Sequence, residues 1–318
     1  MIQKILLILL LCNILYCRRP SGDLLEIQGG TFRRGKEIAR IPDQSPPNEV
    51  SVSSFYYQSK LVTIAEYSEF QKKTGHITGA EKKGYCMTSH EGMKDWEWEK
   101  VYGADFRNPF LGNEDPNAKP KPDWPAVCLS YADAAAYCAD LGMRLPTEAE
   151  WEYAHRAGST SRFPWGEQPE PRGSFLLNYW QGKTHRNAEV KDGFKYLSSV
   201  TAFPPNRWGV YDSVGNVWQI TLDYYAPEVY RLSLEYFQKK GNPVLDPAVN
   251  KEKISFHDDI SHRKRLFTVT RGGSWWCSEK TCNGYGLNYR GKILEDTVFS
   301  NNGFRCAKKM DKYEKYAD

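Results

Sequence analysis

Hydrophobic positions follow a helical period in only a few stretches of this chain. In residues 63–74 the apolar side chains of Ile64, Tyr67 and Phe70 recur three positions apart, which places them on one face of a helix. Gly75 follows directly, and glycine is a common residue where a helix ends in a left-handed turn. The pattern predicts an amphipathic helix over residues 63–74.

Two further stretches combine good helix formers with capping residues. Residues 130–141 are alanine-rich, begin with a serine suited to N-capping, and are followed by Gly142. Residues 147–158 begin with Thr147, and Glu150 three positions later completes a capping box. These two stretches predict a second and a third helix.

The rest of the chain mixes glycine, proline, asparagine, aspartate and tryptophan in irregular order. Residues 268–271 and 303–307 are short strand candidates. Residues 226–265 carry charges without a clean periodicity, so we expect a peripheral insertion there. The chain contains no internal repeat, and its length is acceptable for a single loop-rich domain.

The N-terminus decides the expected location of the protein. Lys4 precedes an apolar run over residues 5–15 that is too short to span a bilayer as a helix. The run ends in the letters ILYC, which resemble a bacterial lipobox, although a tyrosine stands where such boxes carry a small residue. We predict a lipoprotein signal peptide over residues 1–17, lipidation of Cys17, and a short linker over residues 18–24. The protein would be exported and anchored to the cell envelope or surface; a simple cleaved signal is the alternative.

Composition indicates a packed core and gives no sign of nucleic-acid binding. Hydrophobic residues make up 40% of the chain and aromatic residues 14%, with 10 Trp and 20 Tyr. The formal charge is only +4. A basic cluster at residues 262–265 has acidic neighbours at Asp258 and Asp259, which is typical of a solvated loop. We therefore expect no nucleic-acid partner.

Cysteine usage raises the main chemical question. Apart from the two cysteines in or next to the apolar run, the chain contains Cys86, Cys128, Cys138, Cys277, Cys282 and Cys306. In an exported chain such residues pair as disulfides by default, with a connectivity that spacing does not reveal. Cys277 and Cys282 lie five positions apart behind a Gly-Gly-Ser turn and two tryptophans. Spacing alone favours a disulfide for this pair; a metal site and a redox pair stay open.

Several motifs, in this order, carry a family resemblance. They are IQGGTF at residues 27–32, RLPTEAEWEY at 144–153, FPWG at 163–166, NYWQG at 178–182, DGF at 192–194, AFPPN at 202–206, GVYDSVGNVW at 209–218, RGGS at 271–274 and GFRC at 303–306. Together they resemble the formylglycine-generating enzyme (sulfatase-modifying factor) family. The resemblance implies one compact α+β domain over residues 25–310, with little regular secondary structure and a C-type-lectin-like architecture.

The same resemblance implies a copper site at Cys277 and Cys282. Two thiolates are soft ligands that suit Cu(I). A substrate cysteine can join as a third ligand, O2 is reduced at the metal, and the substrate becomes an aldehyde. The implied client is an unfolded sulfatase segment of the form C-x-P-x-R, or another exported protein. An inert disulfide between these two cysteines is the alternative.

Three other residues correspond to the family's pocket. Ser274 matches a serine that donates a hydrogen bond to bound oxygen or water, and Trp218 matches a tryptophan that shapes the cleft. Core packing is the alternative for both. Asp296 is a candidate substrate contact. The two arginines that bacterial relatives carry after the second cysteine are glycines here, and Arg290 remains as a cation for the substrate.

Calcium is the second cofactor that the resemblance implies. Its ligands would be hard oxygen atoms of side chains and carbonyl groups. The first site corresponds to Asn178, Tyr179, Asp192 and Phe194. The second corresponds to Asp212, Gly215, Val217 and Gln219. Gln219 replaces a glutamate, and the lost charge should weaken this second site.

The resemblance also bears on the remaining cysteines and on function. Cys138 and Cys306 match a family disulfide, and Cys86 and Cys128 are left as a third pair. The first functional hypothesis is a copper-dependent, formylglycine-generating oxidase that acts as a monomer on exported clients. The second is a non-catalytic surface lipoprotein that uses the lectin-like scaffold to bind a ligand.

Overall fold

A computed structural model describes residues 23–37, 42–94, 96–251, 266–279, 282 and 284–310. The predicted signal peptide, Cys17, the linker apart from its last two residues, and the basic cluster at residues 262–265 lie outside these residues. Among the described helices, none is both long enough and apolar enough to cross a membrane.

The three predicted helices are confirmed, together with their caps. The helices of the described residues are α1 (Ile64–Thr74), α2 (Gly79–Lys83), α3 (Tyr131–Asp140), α4 (Glu148–Arg156) and α5 (Val229–Lys240). Each predicted helix begins with a capping box, and Gly75 ends α1 in the left-handed conformation. Helix α4 ends earlier than predicted, because Ala157 adopts a left-handed φ of 45°.

Helix α5 lies inside the segment that sequence patterning described only as an irregular insertion. It buries just two of its side chains, Tyr230 and Ser233. Both meet charged groups: the Ser233 hydroxyl accepts a hydrogen bond from Arg34, and the Arg34 guanidinium lies 4.3 Å from the centroid of the Tyr230 ring. Its other apolar side chains are half-buried or exposed, as Leu232 and Tyr236 are, so hydrophobic residues do not mark a single buried face of this helix.

The strands of the described residues are β1 (Leu24–Ile27), β2 (Gly30–Arg34), β3 (Asn48–Val52), β4 (Phe55–Gln58), β5 (Tyr85–Thr88), β6 (Glu99–Tyr102), β7 (Trp218–Tyr224), β8 (Val244–Leu245), β9 (Phe267–Arg271), β10 (Arg290–Leu294), β11 (Asn302–Gly303) and β12 (Ala307–Lys309). They form sheets in the orders β10-β9-β7-β11, β1-β4-β12 and β2-β3-β8, with β5 paired to β6. The candidate strand at residues 268–271 is confirmed. The one at residues 303–307 is wrong as a single strand, because β11 and β12 pair in different sheets.

The four-stranded sheet gathers the motifs into one place. Strand β7 begins at Trp218, which pairs with Asn302 of β11. Strand β9 ends at Arg271, which pairs with Gln219 of β7 on one side and with Arg290 of β10 on the other. The Gly-Gly-Ser turn follows Arg271 directly, so it leaves the sheet at the edge where β7 starts.

Helix α4 packs behind this sheet and is buried on nearly all sides. Its Trp151 ring stacks on His155 with centroids 4.1 Å apart, and the indole N–H donates to Gln219 Oε1 at 2.9 Å. Its acidic residues face a group of arginines instead of solvent. The helix is therefore a core element although half of its residues are charged.

Two disulfides join distant parts of the chain. Cys86 of β5 is bonded to Cys128, and Cys138 of α3 is bonded to Cys306 just before β12. Both predicted pairings are confirmed. The second links a helix to a strand 168 positions away, which ties the C-terminal strand to the helical part of the core.

Candidate functional site

The turn after β9 requires both of its glycines. Gly272 and Gly273 have φ angles of 92° and 75°, a backbone region that L side chains rarely adopt. A Cβ atom on Gly273 would lie 2.6 Å from the Cα of Tyr285. The turn can therefore press against the segment that follows Cys282, and it brings the two cysteines together.

Cys277 and Cys282 form a disulfide, with Cα atoms 4.9 Å apart. Cys277 is buried, at 1% exposure, whereas Cys282 is half-buried. The backbone N–H of Gly284 donates to Cys282 Sγ at 3.3 Å. The structure thus shows the oxidised pair, and Cys282 is the sulfur that solvent can reach.

Ser274 lies beside the buried sulfur. Its Oγ is 3.7 Å from Cys277 Sγ and accepts hydrogen bonds from Asn301 Nδ2 at 3.1 Å and from the backbone N–H of Trp276 at 3.3 Å. Because these donors fill the acceptor positions of the hydroxyl, its own proton is left to point at sulfur. Asn301 is a site residue that sequence reasoning missed, since nothing near the GFRC motif distinguishes it from a turn residue.

Trp218 lies in a slot between two glycines. A Cβ atom on Gly284 would lie 2.6 Å from the Trp218 ring and 3.1 Å from Cys282 Sγ, and one on Gly291 would lie 2.9 Å from the ring. The indole face therefore closes one side of the cysteine pair. The lack of a side chain at Gly284 is what allows this contact.

A groove of about 420 Å³ runs outward from Trp218 across the edge of β10. Its aromatic walls include Trp96, which is 64% exposed, Trp98, Phe267 and Phe299. Large exposed aromatic side chains beside a cleft are typical of a surface that binds another molecule. Neither Cys277 nor Cys282 lines this groove; Trp218 lies between the groove and the cysteine pair.

Buried ion pairs hold the strand that precedes the turn. Arg271 donates to Glu148 and to Glu152, both at 2.6 Å, and all three side chains are buried. Burial alone would raise the pKa of Glu148, but the guanidinium groups of Arg290 and Arg271 outweigh it and hold the pKa at about 2. Glu148 and Glu152 are further site-supporting residues that sequence reasoning treated only as part of a motif.

The prediction that Arg290 contacts substrate is wrong for this structure. Its side chain has no exposed surface and is paired with Glu148, to which Nε donates at 2.7 Å. A guanidinium committed to a buried carboxylate is not available to a ligand. Asp296 is different: its side chain is 69% exposed and forms an ion pair with Lys83 at 2.9 Å, so a substrate contact there stays a prediction.

The first predicted calcium set has features that fit a cation. Asn178 Oδ1 is buried and has no hydrogen-bond partner. Asp192 lies close by, since its carboxylate accepts from the backbone N–H of Tyr179 at 3.1 Å and from that of Phe194 at 2.9 Å. Burial raises the pKa of Asp192 to about 6, although these hydrogen bonds oppose the shift. A carboxylate and an orphaned amide oxygen are suitable hard ligands.

The second predicted calcium set has one of its side-chain ligands, Gln219, engaged in other contacts. The Oε1 atom of Gln219 already accepts from Trp151 Nε1 and from Arg305 Nε, and its Nε2 donates to the carbonyl of Asp212. The buried Arg305 guanidinium therefore stands against the side chain that would have to bind the ion. Gly215 and Val217 lie in the adjoining turn and strand edge. Asp212 keeps a buried carboxylate whose pKa burial raises to about 7, so this second site stays a prediction. In the described part of the chain, no group of three or more His, Cys, Asp or Glu residues could hold a metal ion.

Residues 16–310 match the family described as "Sulfatase-modifying factor enzyme 1-like domain". The chain is 34% identical to the "Formylglycine-generating enzyme" of Bos taurus over 91% of this chain and 75% of that protein. It is 31% identical to the protein of the same name from Mycobacterium tuberculosis, over 89% of this chain and 97% of that protein.

Two other similarities qualify this picture. The chain is also 34% identical to the "Inactive C-alpha-formylglycine-generating enzyme 2" of Mus musculus, over 89% of this chain and 85% of that protein. Among solved structures, PvdO from Pseudomonas aeruginosa aligns with a TM-score of 0.62 at 24% identity, covering 90% of this chain and 94% of that one. The structural likeness confirms the predicted fold, and the sequence similarities extend to proteins with and without activity.

Proposed function

Since this chain belongs to the sulfatase-modifying factor family, we propose that it oxidises a cysteine of a client peptide to formylglycine. The observation that supports the proposal is the close approach of the Cys277 and Cys282 sulfurs beside Trp218, whose ring also lines an open aromatic groove. A peptide laid in that groove would bring its own cysteine against Trp218, beside the cysteine pair.

The proposed reaction transfers electrons to O2 from the client cysteine and from a thiol reductant. Conversion of the cysteine side chain, a methylene thiol, to an aldehyde removes two electrons and releases the sulfur as hydrogen sulfide. Reduction of O2 to the aldehyde oxygen and one water takes four electrons, so two more come from a thiol reductant, which becomes a disulfide. The Cys277–Cys282 disulfide must itself be reduced before either sulfur can act.

Copper(I) is the cofactor that the two sulfurs would hold. Once reduced, Cys277 and Cys282 offer soft thiolate ligands with their sulfur atoms already close together. Bound there, Cu(I) would supply the redox chemistry that lets O2 react with a thiol. The backbone N–H of Gly284, which donates to Cys282 Sγ in the oxidised pair, would help to orient that sulfur after reduction.

The surrounding side chains position the reactants. Asn301 holds the Ser274 hydroxyl so that its proton faces the Cys277 sulfur or a molecule bound beside it. Trp218 keeps water from one side of the sulfur pair and forms the inner wall of the groove. We propose that the groove takes an unfolded C-x-P-x-R segment and that Asp296 contacts such a client.

The proposal includes the location and the second cofactor. An exported monomer anchored through a lipid on Cys17 would meet clients that cross the membrane unfolded.

Calcium would bind Asn178 and Asp192 and would remove the destabilising effect of burying the Asp192 carboxylate. We expect calcium chloride to raise the melting temperature of the wild-type protein more than magnesium chloride does, and we expect Asp192→Asn to lose that difference. An equal effect of both salts would contradict this part.

A non-catalytic ligand-binding function is the alternative. The bonded state of Cys277 and Cys282 and the glycines at positions 284 and 286 favour it. The similarity to an inactive relative is consistent with it.

The decisive experiment incubates the reduced, Cu(I)-loaded protein with a C-x-P-x-R peptide under air and a thiol reductant. Mass spectrometry should show loss of sulfur and two hydrogens and gain of one oxygen. Cys277→Ser and Cys282→Ser should abolish the product, and a peptide with serine in place of cysteine should not react. Binding of the peptide without product, together with no Cu(I) binding, would establish the alternative.

A further inference from the structure

A second cavity, which neither cysteine lines, has four cationic residues and two carboxylates in its lining. Its volume is about 380 Å³, and it lies between the end of β2 and the segment that follows α4. Four cationic residues line it: Arg33, Lys36, Arg156 and Arg162. We call it the Lys36 pocket.

The two carboxylates of the pocket are engaged in other contacts. Glu37 forms an ion pair with Arg33, and Glu167 accepts a hydrogen bond from the backbone N–H of Arg162 at 3.2 Å. The side chain of Arg162 is 3.7 Å from the exposed Glu279. Neither carboxylate of the pocket is in an ion pair with Lys36.

Arg156 supplies positive charge without a free donor. Its five N–H groups go to Glu152, to Asn288 and to the carbonyl groups of Ser159 and Ser161. The rigid arginine therefore fixes one wall of the pocket. Asn288 and Thr160 add neutral polar side chains to the lining.

Lys36 differs from the other cations of the pocket in its contacts. Among the described residues, no hydrogen bond or ion pair is formed by its ammonium group. Burial lowers the pKa of Lys36, and the guanidinium groups of Arg162 and Arg156 lower it further, while Glu167 opposes them. Lysine and arginine groups that repel one another across a cavity are stabilised when an anion enters.

We propose that the Lys36 pocket binds a tetrahedral oxyanion, either inorganic sulfate or phosphate or the same group carried on a larger molecule. Lys36 would donate to the anion as a point charge, and Arg162 and Arg33 would donate from the sides. The site is independent of the cysteine pair, so it holds whether or not the protein is an oxidase.

The test is isothermal titration calorimetry of the folded protein at constant ionic strength. The ligands are sodium sulfate, sodium phosphate and glucose 6-phosphate, with sodium acetate as the control anion. We expect saturable binding of the tetrahedral anions, about tenfold weaker binding for Lys36→Gln, and unchanged binding for Lys72→Gln on the exposed face of α1. Arg33→Gln is a second variant, and circular dichroism checks that each is folded.

Proton uptake gives a readout that general charge screening would not produce. An anion beside Lys36 raises its pKa, so binding at alkaline pH should take up a proton in the wild type and not in Lys36→Gln. Titrations in two buffers of different ionisation enthalpy measure this. Tighter binding of the phosphate ester than of inorganic phosphate would indicate a larger natural ligand. Equal affinity for the two would indicate that the natural ligand is a free ion. No saturable heat, or equal affinity in Lys36→Gln and the wild type, would overturn the proposal.

Discussion

Glu148→Gln tests whether the buried ion pairs hold the turn that carries the cysteines. Glu148 accepts hydrogen bonds from Arg271 at 2.6 Å and from Arg290 at 2.7 Å, and it is 2% exposed. Glutamine has nearly the same shape but no charge, and its amide N–H groups would face guanidinium N–H groups. The substitution removes the carboxylate that Arg271 and Arg290 share. Arg271 lies at the end of the strand that leads to Ser274.

The size of the effect follows from the pKa of Glu148. A fall from 4.5 to about 2 on folding corresponds to about 3 kcal/mol of stability at pH 7. Removing one partner of a buried ion pair costs about 3–5 kcal/mol, which agrees. Because the folded-state pKa is depressed, this stability is present above pH 4.5 and is lost as the pH falls toward 2.

Urea unfolding of the oxidised protein is the assay, with wild type and Glu148→Gln compared at several pH values. Relative to pH 7, the difference in unfolding free energy should shrink by about 0.8 kcal/mol at pH 4 and by about 2 kcal/mol at pH 3. Glu235→Gln is the matched control, because its exposed pair with Arg231 should contribute less than about 0.5 kcal/mol. A difference below about 1 kcal/mol at pH 7, or one that does not vary with pH, would refute the reasoning.

Two further predictions concern packing and cross-linking. Gly284→Ala should destabilise the protein by about 1–3 kcal/mol, because the new Cβ would lie 2.6 Å from the Trp218 ring. In a double-mutant cycle measured by urea unfolding, Trp218→Phe should relieve at least about 1 kcal/mol of this loss. Strictly additive effects of the two substitutions would contradict the contact. Replacing Cys86 and Cys128 by alanine removes a cross-link between positions 42 apart. The gain in chain entropy of the unfolded state should lower the free energy of unfolding by about 4 kcal/mol, measured by urea unfolding. An unchanged unfolding midpoint would show that this disulfide does not constrain the unfolded chain.

The three helices could be predicted because their signals are local. Thr63 with Glu66, Ser130 with Asp133 and Thr147 with Glu150 each cap a helix within four residues. Helix α5 was missed because only Tyr230 and Ser233 are buried, and their partners are charged groups from other elements. The candidate strand at residues 303–307 was wrong because strand pairing joins separate parts of the chain.

The candidate site divides in the same way. The Gly-Gly-Ser turn and the spacing of Cys277 and Cys282 were visible in the sequence, as was the family that they resemble. Asn301 could not be recognised, because its role depends on a hydrogen bond to Ser274 across 27 positions. Arg290 was assigned to substrate because sequence reveals a charge but not its burial.

The sequence by itself determined three features: the capped helices, the motifs of one family, and a number of cysteines sufficient for three disulfides. Each of these depends only on residue type and short spacing. The tertiary structure alone decided which charges are buried and what they meet. Glu148 and Arg290 are 142 positions apart, yet their contact removes an arginine from the expected substrate site. The same carboxylate also holds Arg271, at the end of the strand before the cysteines. The free energy of a buried charge depends on the partners that folding places around it, and no local pattern records those partners.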